Sequence, residues 1–278
     1  MSVVLAALTS DPNLLGCELH RLAGQVNVQA EPHPNAAGVG VYAQDEVLLR
    51  RFASGDGEPT VGSLASSVES DALLFHAARL PVGMSLEENT QPFRARHWLF
   101  AHQGVVSGFE ALRAPLLASL PEHLRRGIRG ATDSEVLFAL FLARLRELGR
   151  TDDPRLEPEV AGRVLADTAR DVSRRVAQAG VALAPTLNLV ATNGAVLVAC
   201  RSGELPLFYT RLEGSPECEP CGVTPRTPET QPLVGAHRRR RTVVVASHLK
   251  RAAGWVELPR GTTLAVGPDL QPHHLPAA

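Results

Sequence analysis

Met1-Ser-Val-Val-Leu-Ala-Ala-Leu8 opens the chain. From Val3 onward the run is apolar and reads as a buried strand that begins almost at the first residue. Such a start is unusual, because chain ends are normally loose. Methionine before a small residue is normally trimmed, which would leave the amine of Ser2 inside the structure. The stretch has no basic flank and no small-residue cleavage site, so it does not read as a secretory signal.

Working outward, the chain has 278 residues, 44% apolar but only 4% aromatic, so its core must be built from Leu, Val and Ala. The formal charge of -1 provides no global field to recruit nucleic acid or an anionic membrane. No run of about 18 apolar residues is present, so no membrane span is expected. Four cysteines do not make a disulfide framework in a chain this long. A cytoplasmic location is the expectation, with no cofactor.

Strand patterns are expected at residues 71–78 and 97–102, and at residues 35–49 after a glycine-rich turn. Short helices are expected at 62–68 and 107–120. Thr132 begins a clear helix, with Glu135 three residues on as a capping box and Val136, Leu137, Leu140, Phe141 and Leu145 on one face. A second long helix spans 159–179 between Pro158 and Gly180. Strands follow at 186–191, 195–201, 207–211, 242–247 and 262–266. Asn193-Gly194 is a hairpin signal whose two turn positions are expected at positive φ. Segregated strands and helices indicate an α+β layered fold.

Several blocks, in this order, resemble class II glutamine amidotransferases of the N-terminal-nucleophile (Ntn) hydrolase superfamily. They are Met1-Ser2 running into a strand, Asn35-Ala-Ala-Gly-Val-Gly40, Glu88-Asn-Thr-Gln-Pro-Phe93, Trp98-Leu-Phe-Ala-His-Gln-Gly104, Thr132-Asp-Ser-Glu135, Asn188-Leu189, the Asn193-Gly194 hairpin and Trp255 in the last strand region. The likeness is greatest to small stand-alone members of the ergothioneine-pathway and uncharacterised bacterial type, and it covers nearly the whole chain. It implies a four-layer αββα sandwich as one domain over residues 2–270. It also implies hydrolysis of the glutamine amide by an N-terminal cysteine whose own amine is the base.

At the nucleophile position this chain carries Ser2. A serine hydroxyl is far less acidic than a thiol and leans more on its base and oxyanion hole. Two readings stand: Ser2 is the nucleophile, or it is a small residue that permits trimming. Where the family reads Ala-His-Asn-Gly for the oxyanion hole, this chain reads Ala101-His102-Gln103-Gly104. Gln103 offers an amide one methylene further out, Gly104 keeps its N–H, and His102 reads as a packed strand residue. The family's His-x-Arg becomes His76-Ala-Ala-Arg79, so the candidate carboxylate ligand Arg79 is shifted by one residue. The family's Asp-Gly-Trp-Gly becomes Ala37-Gly-Val-Gly40. Asp133 matches the α-amine ligand, and its place in the first turn of a helix also suits a carboxylate for the dipole alone.

Candidate site residues are therefore Ser2, Gln103 and Gly104 for catalysis, and Asp133 and Arg79 for substrate. Backbone-shaping motifs persist while side chains that would touch glutamine differ, as in a binding or regulatory homologue with lost or much reduced glutaminase activity. The alternatives are an active N-terminal-serine amidohydrolase, or an interaction scaffold using His237-Arg-Arg-Arg-Arg241. The expected partners are a small-molecule amide or amino acid and, if ammonia is made, a separate acceptor enzyme; membrane and nucleic acid are not expected. Cys218-Glu-Pro-Cys221 reads as a loop thiol pair without a metal, because zinc needs about four ligands. Only His237 or Cys200 stood out as further ligands, and only if the fold brings them there.

Overall fold

The computed structural model describes residues 2–29, 33–43, 46–52, 59–65 and 69–276. The chain runs β1 (Val3–Thr9), α1 (Leu15–Leu22), β2 (Ala36–Ala43), β3 (Glu46–Phe52), α2 (Val61–Ala65), β4 (Ala72–Ala78), α3 (Leu86–Asn89), β5 (Phe93–Ala95) and β6 (Trp98–Val105). It continues through α4 (Phe109–Ala118), α5 (Glu122–Gly127), α6 (Asp133–Glu147), α7 (Pro158–Gln178), β7 (Thr186–Thr192), β8 (Leu197–Ser202) and β9 (Phe208–Leu212). Last come α8 (Pro232–Arg239), β10 (Thr242–Ala246), β11 (Val256–Glu257), β12 (Thr262–Val266) and β13 (Pro272–Pro276).

These strands form two antiparallel sheets. One is seven-stranded in the order β11-β9-β10-β1-β4-β2-β3, and the other six-stranded in the order β13-β12-β8-β7-β6-β5. Side chains alternate along each strand, and the alternation sorts the core. Val4, Ala6, Leu8 and Leu74 of the first sheet cluster with Leu99, Ala101, Val190 and Leu264 of the second. Val3, Leu5, Ala7 and Phe75 turn the other way, onto Leu15, Leu19 and Leu22 of α1 and Leu64 of α2. Phe100, Leu187 and Val198 pack against Phe141 of α6 and Leu165 and Val172 of α7. Burial at roughly 25 cal/mol per Å² thus acts on both faces of the sheets, with Leu, Val and Ala supplying most of it. Among the described residues no helix is long and apolar enough to cross a membrane.

Several local expectations change. Gly38 and Gly40 lie inside β2, not in a turn: a Cβ on Gly38 would meet the Gln91 carbonyl at 2.5 Å, and one on Gly40 the Leu99 side chain at 2.5 Å. They are glycines because another chain segment passes close by. Residues 66–68 of the short helix expected at 62–68 fall outside the described residues. Thr132 is the N-cap of α6 but makes no side-chain cap bond. Glu135 reaches back instead to the N–H groups of Gly130 at 2.6 Å and Arg129 at 3.0 Å. At the β7–β8 hairpin only Gly194 has positive φ; the Asn193 carboxamide accepts from Ala195 and Val196, an Asx-type turn. Trp255 stands before β11 of the seven-stranded sheet and donates to the Gln25 side chain at 2.9 Å. β10 sits between β9 and β1.

Candidate active site

Ser2 stands at the head of β1, the middle strand of the seven-stranded sheet. β4 pairs on one side, with Val3 opposite Ala77, and β10 on the other, with Leu5 opposite Ala246. Where β10 ends, the Ser247 hydroxyl accepts the Val4 N–H at 2.9 Å, so the ladder continues through a side chain. Met1, and with it the expectation of its removal, lies outside the described residues.

β6 of the other sheet brings the next residues. Leu99 and Ala101 face the space between the sheets, so alternation sends Gln103 the same way and His102 toward α6. The Gln103 Nε2 donates to the Ser2 carbonyl at 2.9 Å, and its Oε1 accepts from Asn188 Nδ2 at 2.8 Å. Gln103 is 1% exposed. Its amide is an internal strut joining the two sheets. His102 is buried, with Nδ1 at 2.9 Å from the Ser134 hydroxyl and Nε2 at 3.2 Å from the Thr186 carbonyl. That is the packed role expected of it.

After Gln103 the chain turns. Gly104 has φ of +141°, and a Cβ there would stand 1.8 Å from the Thr186 carbonyl oxygen, so only glycine fits. Two residues on, the Val106 N–H donates to Asp133 Oδ2 at 2.7 Å, while Ser134 Oγ donates to Asp133 Oδ1 at 3.2 Å. Asp133 is the first residue of α6, where the dipole favours a carboxylate. Oδ2 ties the 103–106 turn to the helix, while Oδ1 is bonded within α6.

Arg79 stands outside this network. Ala78 ends β4 as a buried residue, and Arg79 just beyond it is exposed, with its guanidinium on the His33 carbonyl at 3.4 Å. The structure thus joins Ser2 to Gln103 directly, and Asp133 to the same segment through Val106.

Sequence reasoning gave no role to Asn188 or Ser134, which orient Gln103 and His102. Asn89, read from sequence only as part of a backbone-shaping block, accepts the Ala131 N–H through its carboxamide at 2.8 Å and donates to the Ser85 carbonyl at 2.8 Å. Asn89 and Glu135 together hold the loop before α6. The basic run is divided: Arg240 is buried in an ion pair with Glu18, Arg238 pairs with Glu229 at 2.6 Å, and Arg241 lies 3.8 Å from Glu213. Arg238, Arg239 and Arg241 are exposed, while Arg240 is withdrawn into the protein.

Residues 5–268 match the sequence profile of the family described as glutamine amidotransferases class-II, so the chain belongs to that family. A probable glutamine amidotransferase of Saccharomyces cerevisiae, DUG3, is 30% identical over 150 residues, covering 51% of this chain and 42% of the relative. The gamma-glutamyl-hercynylcysteine sulfoxide hydrolase of Mycobacterium tuberculosis is 29% identical over 185 residues, covering 65% of each. The chain therefore spans 42% to 65% of the length of these relatives. Among solved structures, a glutamine aminotransferase class-II domain protein from Silicibacter pomeroyi superposes with a TM-score of 0.62 at 22% identity, covering 99% of each chain, which shows the shared fold.

Proposed function

We propose that this chain is a class II glutamine amidotransferase-like protein whose glutaminase centre has become internal support, leaving a binding or regulatory homologue. In this reading it is a single domain over residues 2–270 with the four-layer αββα Ntn arrangement, and Ser2 stands where the family has its catalytic cysteine. One observation carries the reading: the Gln103 amide, at the oxyanion position, is spent on the Ser2 carbonyl and Asn188. Loss of one oxyanion donor typically costs about 2.7–4 kcal/mol of transition-state stabilisation, a hundred- to thousandfold in rate. A hydroxyl nucleophile adds to that deficit. With Asp133 also engaged and Arg79 outside the network, the groups that would hold a glutamine backbone and its oxyanion are committed elsewhere.

The test is release of glutamate and ammonia from glutamine by the wild-type chain and by Ser2→Cys, with intact mass establishing whether Met1 has been removed. No turnover by either is expected. Glutaminase activity in the wild type, or its appearance in Ser2→Cys, would overturn the reading.

A second reading is favoured by the fixed Ser2 carbonyl, which holds residue 2 rigidly at the head of β1. In it Ser2 attacks a γ-glutamyl amide of the kind hydrolysed by the mycobacterial relative, with its own amine as base and the Gly104 N–H as donor. Hydrolysis of such compounds by the wild type, lost in Ser2→Ala, would establish it in place of the first.

A further inference from the structure

Away from the Ser2 segment, the fold gathers four residues that the sequence scatters. Cys17 of α1, Cys218 and Cys221 of the loop after β9, and His237 of α8 place one ligand atom each within 4.8 Å of one another. Cys17 Sγ and Cys221 Sγ are 3.4 Å apart, and all four cysteines of the chain are free thiols. That separation is far beyond a disulfide bond of about 2.05 Å. It lies close to the roughly 3.8 Å between two sulfurs held at about 2.3 Å around a tetrahedral zinc.

Three further observations point the same way. Cys218 and Val223 exchange both backbone hydrogen bonds at 2.9 Å, and Gly222 turns the chain at φ of +66°. The Cys218-Glu-Pro-Cys-Gly-Val223 turn is thereby closed into a tight knuckle that presents both sulfurs to one side. His237 is 0% exposed, and its Nε2 has no hydrogen-bond partner; an unpaired buried polar atom of this kind is costly unless something binds it. The apolar support here is slight, with Cys218, Val223 and Val234 the buried members of their own small cluster. Such a patch needs another staple to hold the segment between β9 and β10.

We propose that Cys17, Cys218, Cys221 and His237 form a closed tetrahedral Cys3His site for a structural zinc ion. On binding, the three thiols lose their protons to water, three S–Zn bonds and one N–Zn bond form, and no electron is transferred. All four positions are filled by protein, so the metal has no open site for substrate and acts as a cross-link. It ties α1 under the seven-stranded sheet to the loop and α8. The bound centre carries one net negative charge, and the buried Arg240, shared with Glu18, offsets it. Arg240 Nη1 now sits 2.7 Å from His237 Nδ1. With zinc on Nε2 the ring proton moves to Nδ1, so this contact lengthens and Glu18 keeps the guanidinium.

Element analysis of the untagged full-length chain, purified without chelator, is the direct test. About one zinc per chain is expected, with stoichiometry falling about tenfold or more in Cys218→Ser and Cys221→Ser, while Cys200→Ser, in the other core, keeps its zinc. If those variants fail to fold, the wild type is titrated with an organomercurial while a metallochromic dye follows zinc release, which should track modified thiols. Reconstitution of reduced apoprotein with Co2+ should give the visible bands and thiolate charge-transfer absorption of a tetrahedral site. Absence of zinc together with failure to bind Co2+ after reduction would overturn the proposal, as would zinc retained in both Cys→Ser variants. A Cys17–Cys221 disulfide in metal-free protein that binds no Co2+ after reduction would replace the site with a redox pair. None of these outcomes depends on Ser2 or on glutaminase activity.

Discussion

Asn188 lies directly opposite Gln103 across β6 and β7, and its side-chain amide donates to Gln103 Oε1 at 2.8 Å. The same Nδ2 also faces the carbonyls of Leu205 and Pro206 at 3.3 and 3.1 Å. This fixes which end of the Gln103 carboxamide is which: oxygen toward Asn188, nitrogen toward the Ser2 carbonyl. Gln103 is thereby oriented by its own strand neighbour.

If Gln103 is a strut, its loss should appear as stability. Gln103→Ala removes the Gln103 donor from the Ser2 carbonyl and leaves Asn188 Nδ2 to the Leu205 and Pro206 carbonyls alone, and should cost about 1–3 kcal/mol in urea unfolding. Gln103→Glu keeps an acceptor for Asn188 but offers the Ser2 carbonyl no donor at neutral pH, so it should be at least as unstable as the alanine variant. Wild-type stability in both would remove the strut from consideration.

Gly104→Ala tests the turn that follows. The added methyl would stand 1.8 Å from the Thr186 carbonyl at a φ of +141°. The backbone conformation alone costs roughly 1–3 kcal/mol for a non-glycine residue. Relief of the clash means parting β6 from β7, so hydrogen exchange at residues 103–105 and 186–188 should quicken well beyond the change elsewhere. Uniform exchange across the two strands would contradict this.

Much of the framework was legible because it is written locally. The apolar runs of β1, β6, β7 and β10 are each long enough to be read alone, and α7 begins at Pro158 and ends just before Gly180. α1 carried the same kind of signal, with Leu15, Leu19 and Leu22 on one face. It was missed because its polar residues are interleaved and its start signal lies one turn upstream, where Asp11 accepts the Asn13 N–H ahead of Pro12. The glycines of β2 were misread because what they accommodate, Gln91 and Leu99, is distant in sequence. The site followed the same rule. Its residue types could be named, but Gln103 meets Ser2 across 101 positions and Cys17 meets Cys221 across 204. Whether an amide faces a substrate or a neighbouring carbonyl is decided by that long-range packing.

Asp171 on α7 is a buried hub for three arginines. Arg144 of α6 and Arg175 lie at 3.0 Å, and Arg174 also pairs with it. Burial pushes this carboxyl upward, but the bonds from Arg175, Arg144 and Arg174 outweigh it and hold the group below its usual 3.8. A depressed carboxylate stabilises the fold above its unfolded value, and that contribution is lost as pH falls through the lower folded value. Asp171→Asn should therefore cost roughly 1.5–3 kcal/mol at neutral pH, toward the lower end because the arginines are partly exposed to water. The gap to wild type should close in strong acid. A gap that is constant with pH would show that the charge is not the source.

His76 gives the opposite handle on pH. It lies on β4 opposite Val4, is 2% exposed, and neither ring nitrogen has a well-formed hydrogen bond, although the His102 carbonyl lies beside the ring. Burial first, and the neighbouring His102 second, push its imidazole down to about 3 from 6.5. The unfolded chain therefore takes up a proton at this residue before the folded chain does. Above pH 6.5 the residue is neutral in both states; as pH falls from 6.5 toward 3, folding loses up to about 1.4 kcal/mol per unit from this group. His76→Leu fills a similar volume and orphans no partner. It should match or exceed wild-type stability at neutral pH, and its denaturation midpoint should fall less steeply below pH 6.5. Parallel curves for the two proteins across that range would show that His76 is already solvated or paired in the folded state, and that the two sheets leave it room to carry a proton.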